Sequence, residues 1–433
     1  MNEHRITEVE EMSLKIPFKA NAIEIVVGRG DVQQNSARRI ARALSERCGM
    51  EVPVVADTAY ADWGIRPKRH AIFVGSLGDN RGMEYLYYRW LTFVDNGYPG
   101  TGGYVLTTLW DPWGAGSNAL IAGATDPEGL DAVVRRLEAL IEGVEGYLPG
   151  VYEVVYGASC AEEKAAAERW AMEGPSPEGW VYNYTGYGDL QFVPAAAWAY
   201  VRSGDPRVAR GLKKVLLELA ASPVLEATTQ RVHLHAWKLT MMWPMVQTAS
   251  VFSHADRLHV DRFLFDMIVS TEGFRNEGLT LMAGTELPRQ NHQTLCALGV
   301  LFGSIYFDRH YKLPEANAWR ELVDQFYRIG AYCSKQICDN NGHGWNQSIG
   351  DFATYALVTG NTDFFDSGMA RLAADRAVGN DVEFASPGSH PGRADRDLLD
   401  RARHAVDVHP LAHCVLVLEQ DEEAVDHVSY EVL

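Results

Sequence analysis

Residues 22–27 (AIEIVV) form a short, largely β-branched apolar run closed by Gly28-Arg29-Gly30, which predicts a strand. Over 33–48 the period changes. Ile40 and Leu44 recur at helical spacing beside Ala41, and a helix is expected. Strand texture returns at 52–57, at 70–75, and in the segments starting at Gly102 (GGYVLTTL) and Asn118 (NALIAGAT). Asp126-Pro127, an N-cap followed by proline at the first helical position, opens a helix over 127–143. Strands alternating with helices predict a small layered α/β domain over residues 1–150. Gly28-Arg29-Gly30 lacks the third glycine of a dinucleotide fingerprint, and no cofactor is expected.

Beyond Pro149-Gly150 the pattern is helical almost throughout. Helices are predicted at 160–172, 189–203, 206–221, 232–253, 256–272, 290–307, 314–335, 346–358, 362–377 and 408–420. Asp205-Pro206 and Asp363 read as helix starts, Gly204 and Gly360 as stops. Paired helices without a fixed sequence period favour a closed (α/α) toroid over 151–433 rather than a repeat array. The fold class is therefore multidomain, a small α/β domain followed by a mostly α domain.

Composition sharpens this picture in three places. A chain of 433 residues, 47% apolar and 22% charged, suits two or three compact globular domains. The formal charge of −18 comes with no Lys/Arg cluster, which argues against nucleic acid as a partner but not against an anionic sugar polymer in a locally basic cleft. There is no run of 18 apolar residues, so no membrane partner is expected, and the opening MNEHRITEVEEMSLKIPF has no apolar leader core. As written the chain reads as cytoplasmic, or as periplasmic or secreted if a leader was removed. The six cysteines contain no CxxC pair and read mostly as buried, reduced thiols.

The densest polar stretch is 285–294 (TELPRQNHQT), which enters an apolar helix. Polar groups at a helix start meet unpaired backbone N–H groups, a setting that favours anions. Arg289, Asn291, His292 and Gln293 would there bind and polarise a sugar carboxylate; the plainer reading is an N-cap beside a surface loop. A second stretch, 339–355, leads from a turn into a helix with Trp345, Gln347, Asp351 and Tyr355. Asp351 and Tyr355, four apart, share a face, with Gln347 one turn earlier. A ring beside amides and a carboxylate suits a sugar subsite, although Tyr355 also fits a core position. In the third, 180–189, Tyr182, Tyr184 and Tyr187 stand among Asn183, Gly186 and Gly188, as substrate-stacking rings would. On a helix His233 and His235 would point away from each other, His404, His409 and His413 form only a looser cluster, and no metal is expected.

At these residues known families come into view. Residues 22–143, through AIFVGS, DNGYPGTGGYVLTT and LIAGATDPEGLDAVVRRLEALI, resemble the accessory α/β domain ahead of the catalytic domain in α-glucuronidases and β-hexosaminidases. Residues 160–433, through Gln290-Asn291-His292-Gln293-Thr294 and Trp345-Asn346-Gln347-Ser348, resemble the (α/α) toroid of heparinase II/III-like and alginate-lyase-like polysaccharide lyases. In that family an Asn, often followed by His, neutralises a uronate carboxylate or serves the proton transfer, and Asn291 and His292 match this element. A tyrosine after a Gln-Ser-like pair acts there as acid or base. Here that position holds Asp351, and Tyr355 stands one turn later. The β-sandwich that usually follows the family's toroid has no counterpart up to Leu433.

The resemblance implies a lyase that cleaves a uronate-containing glycan by β-elimination without a cofactor. Arg289 and Asn291 would offset the carboxylate, His292 would take the C5 proton, and Tyr355 would protonate the leaving oxygen. Two alternatives stay open. One is a glycoside hydrolase using Asp351 with Glu286 or Glu277, and Asp189 at the same mouth. The other is a non-catalytic glycan-binding protein. The expected partner in every case is a poly- or oligosaccharide, and self-association into a homo-oligomer is compatible with all three.

Overall fold

The computed structural model describes residues 5–19, 21–173, 192–221, 238–270, 291–332 and 343–372. Six strands form one sheet in the order β3-β2-β4-β6-β5-β8, and β1 (Ile16–Pro17) pairs separately with β7 (Tyr147–Leu148). Strands β2 (Ile23–Val27), β3 (Val54–Ala56), β4 (His70–Val74) and β6 (Ala119–Gly123) run parallel. β5 (Tyr104–Leu109) is antiparallel to both β6 and β8 (Tyr152–Val155), so the sheet is mixed.

Period-two alternation sorts the two faces. Ile23, Ile25 and Val27 of β2, with Ile72 and Val74 of β4, pack on helices α1 (Asp31–Cys48) and α3 (Pro127–Gly143), which contribute Ile40, Leu44, Val133 and Leu137. Arg39 joins these helices on the outside, reaching Asp131 and Glu138, each at 2.6 Å. On the opposite face Phe73 meets Tyr60 at 5.2 Å and Trp113 at 6.2 Å, and Trp113 meets Tyr85 of the short helix α2 (Glu84–Tyr87) at 6.4 Å.

Strand order reverses between β2 and β4, the place where open α/β sheets take ligands. Here the chain itself fills that place. Fully buried Asn80 donates to the carbonyls of Val26 and Val74 at 3.0 Å each and accepts from the Gly82 amide at 3.1 Å. A β-carbon on Gly28 would lie 1.7 Å from the Asp79 carbonyl oxygen. Gly28-Arg29-Gly30 thus serves a close approach of the chain to itself.

The DNGYPGTGG stretch has an equally local reason. Gly157 donates to the Pro99 carbonyl at 2.8 Å, and Ala158 to that of Thr101 at 3.0 Å. Gly100 has a φ of +91°. A β-carbon on Gly103 would lie 2.4 Å from the Gly157 nitrogen, so the two segments touch main chain to main chain.

Further helices are α4 (Ala161–Glu173), α5 (Phe192–Ser203), α6 (Pro206–Ala220), α7 (residues 238–246), α8 (His254–Ser270), α9 (Asn291–Tyr311), α10 (Pro314–Ala331), α11 (His343–Thr359) and α12 (Asp363–Asp366). The expected stops hold. Gly204 (φ +63°) donates to Tyr200, and Gly360 (φ +74°) to Ala356, each with the left-handed backbone glycine allows. The helix expected over 232–253 ends instead at residue 246, because Ser253 begins a new one. Its amide and hydroxyl reach Asp256, whose amide donates back to the Ser253 oxygen at 3.2 Å, a reciprocal cap.

The chain divides into two compact units, residues 1–228, 238–265 and 306–312, and residues 229–237, 266–305 and 313–433. In the first, three tyrosines of the sheet and its loops hold the end of α5. Tyr152 donates to the Val201 carbonyl at 2.6 Å, and Tyr98 and Tyr156 donate to that of Arg202 at 2.5 and 2.8 Å. These satisfy acceptors that a helix end leaves unpaired. In the second, α10 and α11 approach closely at Gly330, where a β-carbon would stand 2.1 Å from Phe352 Cζ. No helix among the described residues is long and apolar enough to cross a membrane.

Candidate functional site

The second unit brings two of the sequence-predicted stretches together. α9 begins at Asn291, so Asn291, His292 and Gln293 form its opening turn. Trp345 and Gln347 lie in the first two turns of α11, which carries Asp351 and Tyr355 further on. The contact is made by Thr294, whose hydroxyl donates to the Asp351 carboxylate. Both are buried, Thr294 at 0% and Asp351 at 6% exposure, so this carboxylate does not face open solvent.

α10 supplies partners that the sequence did not single out. Tyr327 donates its hydroxyl to the Thr294 carbonyl at 2.9 Å. Its ring stacks on Tyr355 with centroids 4.3 Å apart and planes 12° from parallel. Tyr355 donates to Asp324 Oδ1 at 2.8 Å, and Arg320 Nε donates to the same oxygen at 2.9 Å. Burial first, then the Asp324 charge and hydrogen bond, push the Tyr355 phenol well above its ordinary range. It therefore keeps its proton at neutral pH and has the protonation state of an acid rather than a base. Burial, and then Asp351, push the Tyr327 phenol well above its ordinary range as well. Arg320, Asp324 and Tyr327 lie at helical spacings of three and four, and that alone was the available signal.

No known protein family, curated protein or solved structure matches this chain. Arg289, Tyr182, Tyr184, Tyr187, Asp189, Glu277 and Glu286 lie outside the described residues, as do His233, His235, His404, His409 and His413. Among the described residues no group of three or more His, Cys, Asp or Glu is placed to hold a metal ion. Cys48, Cys160 and Cys296 are free thiols, the last two buried.

A second polar cluster, which the sequence did not suggest, lies inside the first unit. Asp261 is fully buried and accepts from the Trp243 indole at 2.6 Å, from Tyr306 at 2.7 Å and from Tyr311. Burial outweighs these donors and lifts the carboxyl from 3.8 to about 6. A raised carboxyl means that the folded chain holds this proton more tightly than the unfolded one. The contribution is full below 3.8 and disappears as pH rises through about 6. That interval corresponds to roughly 3 kcal/mol. Wild type should therefore gain on Asp261→Asn by up to about that amount as pH falls from neutral towards 4. Urea midpoints of the two proteins across that range measure the gain, and parallel curves would refute it.

Proposed function

We propose that the helical part is an (α/α) toroid that binds a uronate-containing poly- or oligosaccharide and cleaves it by β-elimination. The observation supporting this is the Thr294–Asp351 hydrogen bond. It sets the helix opened by Asn291, His292 and Gln293 beside the helix that carries Trp345 and Gln347. Polar side chains at the start of a 21-residue helix suit an anionic sugar.

In this reading Arg289 and Asn291 offset the uronate carboxylate and so acidify the C5 proton. His292 removes that proton as the C4–C5 double bond forms and the C4–O4 bond breaks. Tyr355, which holds its proton, releases Asp324 to protonate the departing oxygen. Gln293, Trp345 and Gln347, with Tyr182, Tyr184 and Tyr187, hold the flanking sugars.

The test is the ultraviolet absorbance of the new conjugated double bond during incubation with a panel of uronate polymers. His292→Ala should reduce that signal by about 10²–10⁴-fold, the share of one general-base step. New reducing ends without the absorbance would mean hydrolysis, and neither signal would leave only binding.

A further inference from the structure

We propose that Asp351 is a positioning residue, holding the opening turn of α9 through the Thr294 hydroxyl. The proposal rests on the site reading above and removes Asp351 from the proton transfers. Three observations carry it. Thr294 is three residues after Asn291, so whatever fixes it fixes the turn that bears Asn291, His292 and Gln293. It is gripped at two points, the hydroxyl donating to Asp351 and the carbonyl accepting from Tyr327 at 2.9 Å. The grip is itself braced, because Tyr327 stacks on Tyr355, and Tyr355 is tied to Asp324 beside Arg320.

A carboxylate suits this position for a physical reason. The Thr294 oxygen is buried in a place with no exposure, and a donor left without an acceptor there would carry the full cost of its desolvation. Asp351 supplies a charged acceptor, which makes the stronger bond. The chemistry asks only for an acceptor oxygen, so an amide at 351 should serve nearly as well. An acid or base at 351 needs the ionisable carboxyl itself.

The experiment uses the full chain and four variants. Asp351→Asn keeps an acceptor and loses the charge. Thr294→Val removes the donor at similar volume, Thr294→Ser keeps it, and Asp351→Leu removes the acceptor. Two measurements are made, kcat and KM on uronate polymers across pH, and amide hydrogen exchange over 291–298. Thr294→Val and Asp351→Leu should each lower kcat by about tenfold or more, as misplacement of a reacting group does. Their double variant should be no worse than the poorer single one, because both break one bond. Thr294→Ser and Asp351→Asn should stay within about threefold and keep both limbs of the pH profile. Exchange over 291–298 should quicken in the first pair and not in the second.

A loss of about 10²-fold or more in Asp351→Asn, with one pH limb gone, would overturn the proposal and make the carboxyl a reacting group. If no polymer is turned over, the lyase reading fails, and hydrogen exchange alone decides. Unchanged exchange in Thr294→Val would then refute the clamp. Faster exchange restored by Thr294→Ser would support it for whatever ligand the helix start serves.

Discussion

Gly157→Ala should cost the first unit about 4 kcal/mol or more, in the exceptional tail of single substitutions, and much of the soluble yield with it. The added β-carbon would stand 2.3 Å from the Gly100 carbonyl carbon and equally close to the Thr101 oxygen. Both are main-chain atoms, so no side chain can rotate away. Relief would require the 99–103 loop to part from 157–158, breaking the hydrogen bonds to Pro99 and Thr101. That loop also leads into β5, the strand joining β6 to β8. Gly143→Ala is the control, since a β-carbon there would meet nothing within 4 Å. It should be neutral or gain up to about 1 kcal/mol from the lower entropy of the unfolded chain. Equal urea midpoints for the two variants would show that the close approach does not constrain the fold.

The second large effect is expected at Asn80. Asn80→Leu keeps the volume but takes away the amide that bridges Val26 and Val74, and the oxygen that receives the Gly82 amide. Each buried group left unpaired costs about 1–3 kcal/mol, so a total near 3–5 kcal/mol is expected. The loss should be local at first. Hydrogen exchange should quicken at the ends of β2 and β4 and over 76–83 before the rest of the sheet responds. A midpoint within about 1 kcal/mol of wild type would mean that water or relaxation replaces the amide without strain.

How far the sequence could be read depended on the range of the interaction. α3 occupies 127–143 as expected, because its start is written locally: the Asp126 carboxylate receives the Gly129 amide at 2.8 Å. The Asp205-Pro206 start is equally local, with Asp205 receiving the Arg207 amide at 2.8 Å. The buried parallel strands were legible as apolar runs. β8 was not, since Tyr152, Glu153, Val154 and Val155 sit at a sheet edge, partly exposed and weakly patterned. Nor does an apolar run reveal direction, and the antiparallel sense of β5 comes from partners on either side.

The helix starting at Asn291 could be read from the polar residues crowded before an apolar stretch. The bond from Thr294 to Asp351 spans 57 residues and left no trace in spacing. Asp324 and Tyr327 belong to a helix whose pattern reads as ordinary amphipathic packing. Their contacts come from α9 and α11, and a helix pattern read alone does not identify its neighbours.

The three tyrosines at the end of α5 bear on how this protein is taken apart. Gly150 looks like a convenient place to cut, yet β8 and the Tyr152 and Tyr156 hydroxyls follow it, and the carbonyls they serve lie at 201 and 202. A fragment that stops at Gly150 has a bare β5 edge, ready to pair with another copy. A chimera or expression boundary that keeps the sheet intact therefore has to carry α5 along with it.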